Sequence, residues 1–430
     1  MKRKVDMPPK ELTRDQRAEV LRALSEIMAQ RFYDPAMRGV DWPAAVANHH
    51  EAIVNAPTEE KFEIEVTELL RELKSSHVGF YRERPKRASA RMAICACYTS
   101  IPFVGRDHWV FQDVHAGGPG GNAGIRPGDI LLSVDGREYR PPEHPIFPLG
   151  SSLKVEVLTS NSDVATRQLN IPAPVQKKFQ LPHVEPALVV HRRLRDDIGY
   201  IRISMFPGIV GLEVANEIST AVDQLNPVER LIIDLRGNSG GGAAVVRVMS
   251  LLTSKRLPIG YSLHRCQLGI SANQDHFPVY DKIPSQQLAL KMLLLKFGWR
   301  LVALHYRLPV KPVLLRTERP KAEPFHGRVA LLVDRHTASA SEMIVAFARE
   351  NQLAVLVGEA TSGRLLDGDD FKLPGGYKVA IPVGAYRTAR GWILEGSPIM
   401  PDVEVPFDPE LAREGKDPQM ERAIEVVSSL

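Results

Sequence analysis

The 430-residue chain has few cysteines, no long apolar run and little net charge. Three cysteines cannot close a disulfide framework, and Cys95 and Cys97, separated by one residue, have no second pair to complete a metal set. Buried thiols in a reducing compartment are the expectation. The longest apolar stretches, around residues 94–101 and 329–333, are far too short to cross a bilayer. Met1-Lys2-Arg3-Lys4 runs into Val5-Asp6-Met7-Pro8-Pro9 instead of an apolar segment, so no signal peptide is read and a cytoplasmic location is expected. The net charge of +4 comes from dispersed basic residues, which offer neither nucleic acid nor a membrane surface a stripe to bind. Gly117-Gly118-Pro119-Gly120-Gly121 lacks the Lys-Ser/Thr of a phosphate loop and reads as a turn. His49-His50 has no companion ligands at metal spacing. Neither metal nor organic cofactor is expected.

What is present is a globular composition, 44% hydrophobic and 25% charged, with length for two or three domains. Residues 11–75 read as helical: Val20, Leu21, Leu24, Ile27 and Met28 recur at helical spacing after a cap signal in Leu12-Thr13-Arg14-Asp15, and Phe62, Ile64, Val66, Leu69, Leu70 and Leu73 form a second stripe. From about residue 93 the pattern turns to short β runs, with a hairpin signal at Asp135-Gly136. After residue 175 strands and helices alternate: 198–203, 212–225, 231–236, 329–334 and 340–350. The fold class expected is α+β and multidomain: an N-terminal helical domain (1–92), a β module (93–175) and an α/β domain (176–430). An insertion is read at about 254–326, helical at 286–297.

Two stretches carry chemistry. Ser339, in Thr337-Ala338-Ser339-Ala340-Ser341-Glu342, stands between a strand and the helix it opens, where a turn exposes a side chain and the helix N-terminus favours negative charge. Capping by Thr337, Ser339 and Ser341 explains the same serines without chemistry. Gly237-Asn238-Ser239-Gly240-Gly241-Gly242 follows strand 231–236 and can present backbone N–H groups unobstructed.

Asn122-Ala123-Gly124-Ile125-Arg126-Pro127-Gly128-Asp129-Ile130-Leu131 with Val134-Asp135-Gly136 resembles the core of a PDZ domain. Asp234-Leu235-Arg236-Gly237-Asn238-Ser239-Gly240-Gly241, the Ser339 segment and Gly358-Glu359-Ala360-Thr361-Ser362-Gly363 together resemble the C-terminal processing (tail-specific) serine peptidases. The resemblance covers most of residues 60–406 outside the insertion. It implies a crotonase-like ββα catalytic domain, Ser339 as nucleophile, and an oxyanion hole from the amides of Gly240 and Ala340, with Gly241 one residue away on the substrate side.

One position departs from the pattern. Where better-known members place a lysine base, this chain has Arg364, which stays protonated and cannot take a proton from serine. Either activity is lost or another base serves. Ser75-Ser76-His77-Val78-Gly79 resembles the Ser-His pair of the tricorn-core branch, and Glu395, 56 residues beyond Ser339, resembles that branch's glutamate. The roles implied are Ser339 attacking, His77 taking its proton, Ser76 orienting the imidazole and Glu395 polarising Ser76. His336 is the rival base, with its ring expected to face solvent. Arg364 could hold a substrate carboxylate. The expected activity is cleavage of peptide or C-terminal segments of proteins, with capture or gating by the PDZ-like module. The alternative is an inactive member that binds peptides or apolar ligands, and a homo-oligomer is left open.

Overall fold

The computed structural model describes residues 12–83, 87–159, 163–174, 187–207, 212–267, 274–281, 312–318, 325 and 327–429. They divide into two units; the helix expected at 286–297 lies outside the described residues.

The first unit comprises residues 1–84, 263–270 and 366–385. Helix Arg14–Arg31 starts at a capping box: Gln16 N–H donates to Thr13 Oγ1, and Thr13 N–H to Gln16 Oε1. Helix Trp42–Val54 is capped by Asp41 and helix Glu59–Arg71 by Thr58. Their apolar stripes bury Val20, Leu24, Met28, Phe62, Val66 and Leu69, while Ile64 stays exposed on the far side. The chain then turns through left-handed residues at Lys74 and His77 into strand Gly79–Arg82.

That strand pairs antiparallel with Tyr377–Thr388, Gly79 opposite Ala380 and Arg82 opposite Tyr377, and Leu366–Leu373 pairs with Tyr377–Thr388 in turn. Tyr377, Val379 and Ile381 complete the helices' core, with Tyr377 stacked on Phe80 at 4.7 Å between ring centroids. The N-terminal helices thus share one core with residues more than three hundred positions later.

The second unit comprises residues 85–262, 271–365 and 386–430. Its first part is a β module: antiparallel strands Ala96–Phe103, Arg106–Val114, Ile130–Val134, Ser152–Leu158 and Val164–Asn170, in that order across the sheet. Trp109, Phe111, Leu131, Val155, Val157 and Leu169 fill its core. The Asp135-Gly136 turn has φ of 48° and 79°, the pair of positive values a two-residue hairpin requires, and joins Val134 to its partner Arg137.

The second part is a six-stranded sheet ordered Val189–Arg195, Ile198–Ile203, Arg230–Asp234, Arg328–Val333, Val355–Gly358 and Val403–Glu404. Val189–Arg195 is antiparallel to its neighbour and the other pairings are parallel. Alternation sends Leu231, Ile233, Leu331 and Val333 towards helices Leu212–Leu225, Val245–Leu251 and Ala340–Glu350. Ile232, Ala330 and Leu332 face helix Pro418–Ser429. Burial on both faces explains why these strands read as unbroken apolar runs. Within 254–326, short strands at Pro258–His264, Val279–Tyr280 and Leu314–Arg316 are described, and the last pairs with both others.

Candidate active site

Strands Arg230–Asp234 and Arg328–Val333 lie side by side in parallel, so the loops after Asp234 and Val333 leave the same edge of the sheet. Sites in open α/β sheets form at such carboxyl ends. The first loop is the glycine-rich one and the second carries Ser339.

Ser339 sits at φ 56°, ψ −127°, a conformation that a residue with a side chain adopts only when its surroundings impose it. The constraints are visible. Ala338 N–H donates to Asn238 O at 3.0 Å, and Ser339 N–H is shared between Arg364 O (3.0 Å) and Glu342 Oε2 (3.2 Å). Glu342, fully buried one turn into the helix, also accepts from Thr361 Oγ1 (2.6 Å), Gly363 N–H (2.7 Å) and Arg364 N–H (2.9 Å). Burial pushes its carboxyl up, while the Thr361 hydroxyl and three amides pull the other way. One carboxylate therefore ties the start of helix Ala340–Glu350 to the 361–364 loop.

The glycine loop is pinned in the same manner. Asn238, wholly buried, donates Nδ2–H to Ile203 O (2.8 Å), and its Oδ1 accepts from Gly240 N–H (2.8 Å). Asp334 accepts from the amides of Gly237, His336 and Thr337. At Gly240 (φ +92°) a Cβ would stand 2.7 Å from both Ala338 O and Ala340 N and 2.8 Å from Ser339 Cβ, so only glycine fits against the serine turn. The Gly240 amide, expected to serve an oxyanion, is engaged with Asn238. Among the described residues the amides of Gly241 and Ala340 have no acceptor in the chain.

Glu395, half-buried, belongs to the same cluster of loops: Gly396 N–H donates to Gly363 O at 2.8 Å, one residue from Arg364. The Arg364 backbone is bonded to Ser339 and Glu342, and its side chain is exposed. The structure thus brings Ser339, Ala340, Gly240, Gly241, Arg364 and the Glu395 loop together in the second unit. Ser76 and His77 belong to the first unit, where Ser76 Oγ lies 2.7 Å from His77 Nδ1. His77 is left-handed (φ 58°), and a Cβ on Gly368 would lie 3.7 Å from its Cβ and Cδ2.

His336 differs from its expectation. Its ring does not turn wholly to solvent: Nε2 is buried with no hydrogen-bond partner among the described residues, while the amide is held by Asp334. His49 pairs with Glu72 at 2.7 Å on the helix surface. No cluster able to hold a metal is found among the described residues, and none of their helices is long and apolar enough to cross a membrane. Asn238, Asp334 and the carboxylate role of Glu342 were not singled out from the sequence. A buried asparagine in a glycine-rich loop looks there like any turn residue.

The fold and the loop geometry accord with the comparisons: residues 197–405 match the model of peptidase family S41. Residues 110–144 match the PDZ domain and residues 13–71 the tricorn protease C1 domain. Among particular relatives, the carboxyl-terminal-processing protease of Synechocystis is 27% identical over 305 residues, covering 68% of this chain and 58% of that protein. The putative tricorn protease homolog 2 of Streptomyces coelicolor is 23% identical over 93% of this chain but 31% of its own length. The chain thus spans from about a third to three-fifths of these relatives. In fold it is similar to the photosystem II D1 C-terminal processing protease (TM-score 0.56, 18% identity, 93% of this chain and 94% of that one). It is similar likewise to mature CPAF (TM-score 0.59, 14% identity, 96% and 97%).

Proposed function

We propose that this chain is a serine peptidase acting on peptides or on C-terminal segments of proteins, with Ser339 as nucleophile. The observation that carries this is the backbone of Ser339: φ 56°, ψ −127° at a strand-to-helix turn, packed against Gly240. A helix cap needs no such conformation, whereas a nucleophile presented at the top of a sheet does.

The roles follow from the chemistry. Ser339 Oγ attacks the scissile carbonyl as its proton passes to His77 Nε2. For Nε2 to accept, the Nδ1 proton must point at Ser76 Oγ, which is at hydrogen-bond distance. The Ser76 hydroxyl proton then needs a carboxylate, the part assigned to Glu395. Arg364 cannot serve as base, and an imidazole with an ordinary pKa of about 6.5 can. The tetrahedral oxyanion is assigned to the amides of Ala340 and Gly241, with Gly240 supplying the close approach. His77 returns its proton to the departing amine as the C–N bond breaks, and water repeats the sequence on the acyl-enzyme.

On this reading the domains are 1–92, 93–175 and 176–430. In the PDZ-like module, strand Ala96–Phe103 ends the sheet, a position suited to adding an extended peptide as a further strand. No disulfide joins the cysteines among the described residues, which fits a reducing compartment such as the cytoplasm.

Fluorophosphonate labelling at neutral pH tests the reading. The wild-type chain should be labelled, and Ser339→Ala and His77→Ala should not. A wild-type chain that resists the reagent would point instead to a binding protein on a peptidase scaffold.

A further inference from the structure

In strand Arg106–Val114, Phe111 stands opposite Tyr98 and Asp113 opposite Cys97, so Gln112 is an extra residue in the ladder. A regular strand sends neighbouring side chains to opposite faces, and a bulge re-aims them. Here both residues reach the peptidase sheet. Gln112 Nε2–H donates to Glu359 Oε2 at 2.5 Å, just after strand Val355–Gly358, and Arg202 Nη2–H donates to Asp113 Oδ1 at 2.6 Å from strand Ile198–Ile203.

Asp113 does more than dock one sheet on another. Its Oδ2 is 3.5 Å from Arg91 Nη1, and the same carboxylate lies against the backbone of Gly237, where a Cβ would overlap it. On its other side Gly237 donates its amide to both oxygens of Asp334, at 3.0 and 3.1 Å. The first residue of the glycine loop is thus clamped between two buried carboxylates, one from each module. Three residues on stand Gly240, against Ser339, and Gly241 after it. Burial opposes a charge on Asp113, but Arg202 and then Arg91 outweigh it and hold the carboxyl below its ordinary range.

We infer that Asp113, contributed by the PDZ-like module, is a positioning residue for the oxyanion loop of the peptidase: by fixing Gly237 it sets where the Gly241 amide points. The inference rests on the serine-peptidase reading and extends it. An oxyanion donor counts mostly in the transition state, so the expected signature is a loss of kcat with KM preserved.

The test uses the full chain, with active sites counted by fluorophosphonate titration and turnover followed on a fluorogenic peptide. Asp113→Asn should lower kcat per titrated site by about 10- to 100-fold, the scale of a misplaced donor, with KM within about twofold. Gln112→Ala, which disturbs the same docking surface beside the loop contact, should leave kcat within about twofold. If Asp113→Asn does not fold, Asp113→Asn/Arg202→Gln removes the cation hydrogen-bonded to that carboxylate and should show the same kcat-selective loss. Wild-type kcat in either Asp113 variant, or an equal loss in Gln112→Ala, overturns the inference. An inactive, unlabelled wild type overturns the peptidase reading and this inference with it.

Discussion

Ser339 is held in a backbone conformation that costs on the order of 1–3 kcal/mol in isolation, and the Glu342 carboxylate is the group that most directly sustains it. Because Glu342 also binds the amides of Gly363 and Arg364, the arginine standing at the family's lysine position has a backbone fixed beside the nucleophile and a side chain free to project outwards. An obligate cation so placed suits a substrate carboxylate. Arg364→Ala is expected to raise KM by about tenfold for peptides ending in a free carboxylate and much less for the same peptides amidated, as one lost charge-assisted contact implies. Equal changes in paired steady-state assays would remove Arg364 from substrate binding.

Among elements, the edge where strands Arg230–Asp234 and Arg328–Val333 end is fastened by charge. Arg236 bridges Asp234 and Asp417, clamping the approach to helix Pro418–Ser429 onto the strand. Burial disfavours the Asp234 anion, but Arg236 and Arg202 prevail and bring its pKa to about 2. The folded value lies below the unfolded value of about 3.9, so this stabilisation is fully present above pH 4 and is lost as pH falls towards 2. It amounts to something on the order of 2 kcal/mol. Urea titrations between pH 5 and 2 should show the wild type losing stability more steeply than Asp234→Asn, and parallel slopes would exclude Asp234 as the cause. At this scale the sequence was most legible. Helix Ala340–Glu350 and the apolar strands stand where periodicity and glycine punctuation put them. The bulge at Gln112 left no trace in the sequence, because an extra residue in a ladder is visible only once its partner strand is known. The engagement of the Gly240 amide by Asn238 was equally hidden, since a loop's composition does not say which way its amides turn.

For the whole molecule the consequential fact is that the units are not consecutive segments of chain. The N-terminal helices complete their core with Tyr377, Val379 and Ile381, a partnership that local patterns could not reveal. Removing residues 1–84 should therefore not yield a trimmed soluble peptidase domain. It uncovers the apolar face of strand Tyr377–Thr388, and residues 85–430 should elute as aggregate in size-exclusion chromatography and expose dye-binding surface. A monodisperse fragment with cooperative unfolding would show that the helices are dispensable for folding.

The same interleaving orders events during translation. The helices that precede His77 leave the ribosome well before the strands that finish their core, which are encoded about 300 residues later. At about 5–20 residues per second, the nascent helical segment waits roughly 15–60 s for its partner. Throughout that interval the imidazole assigned as base rides on an unfinished body. On the proposed assignment, hydrolysis must await those later strands, a delay written into chain order.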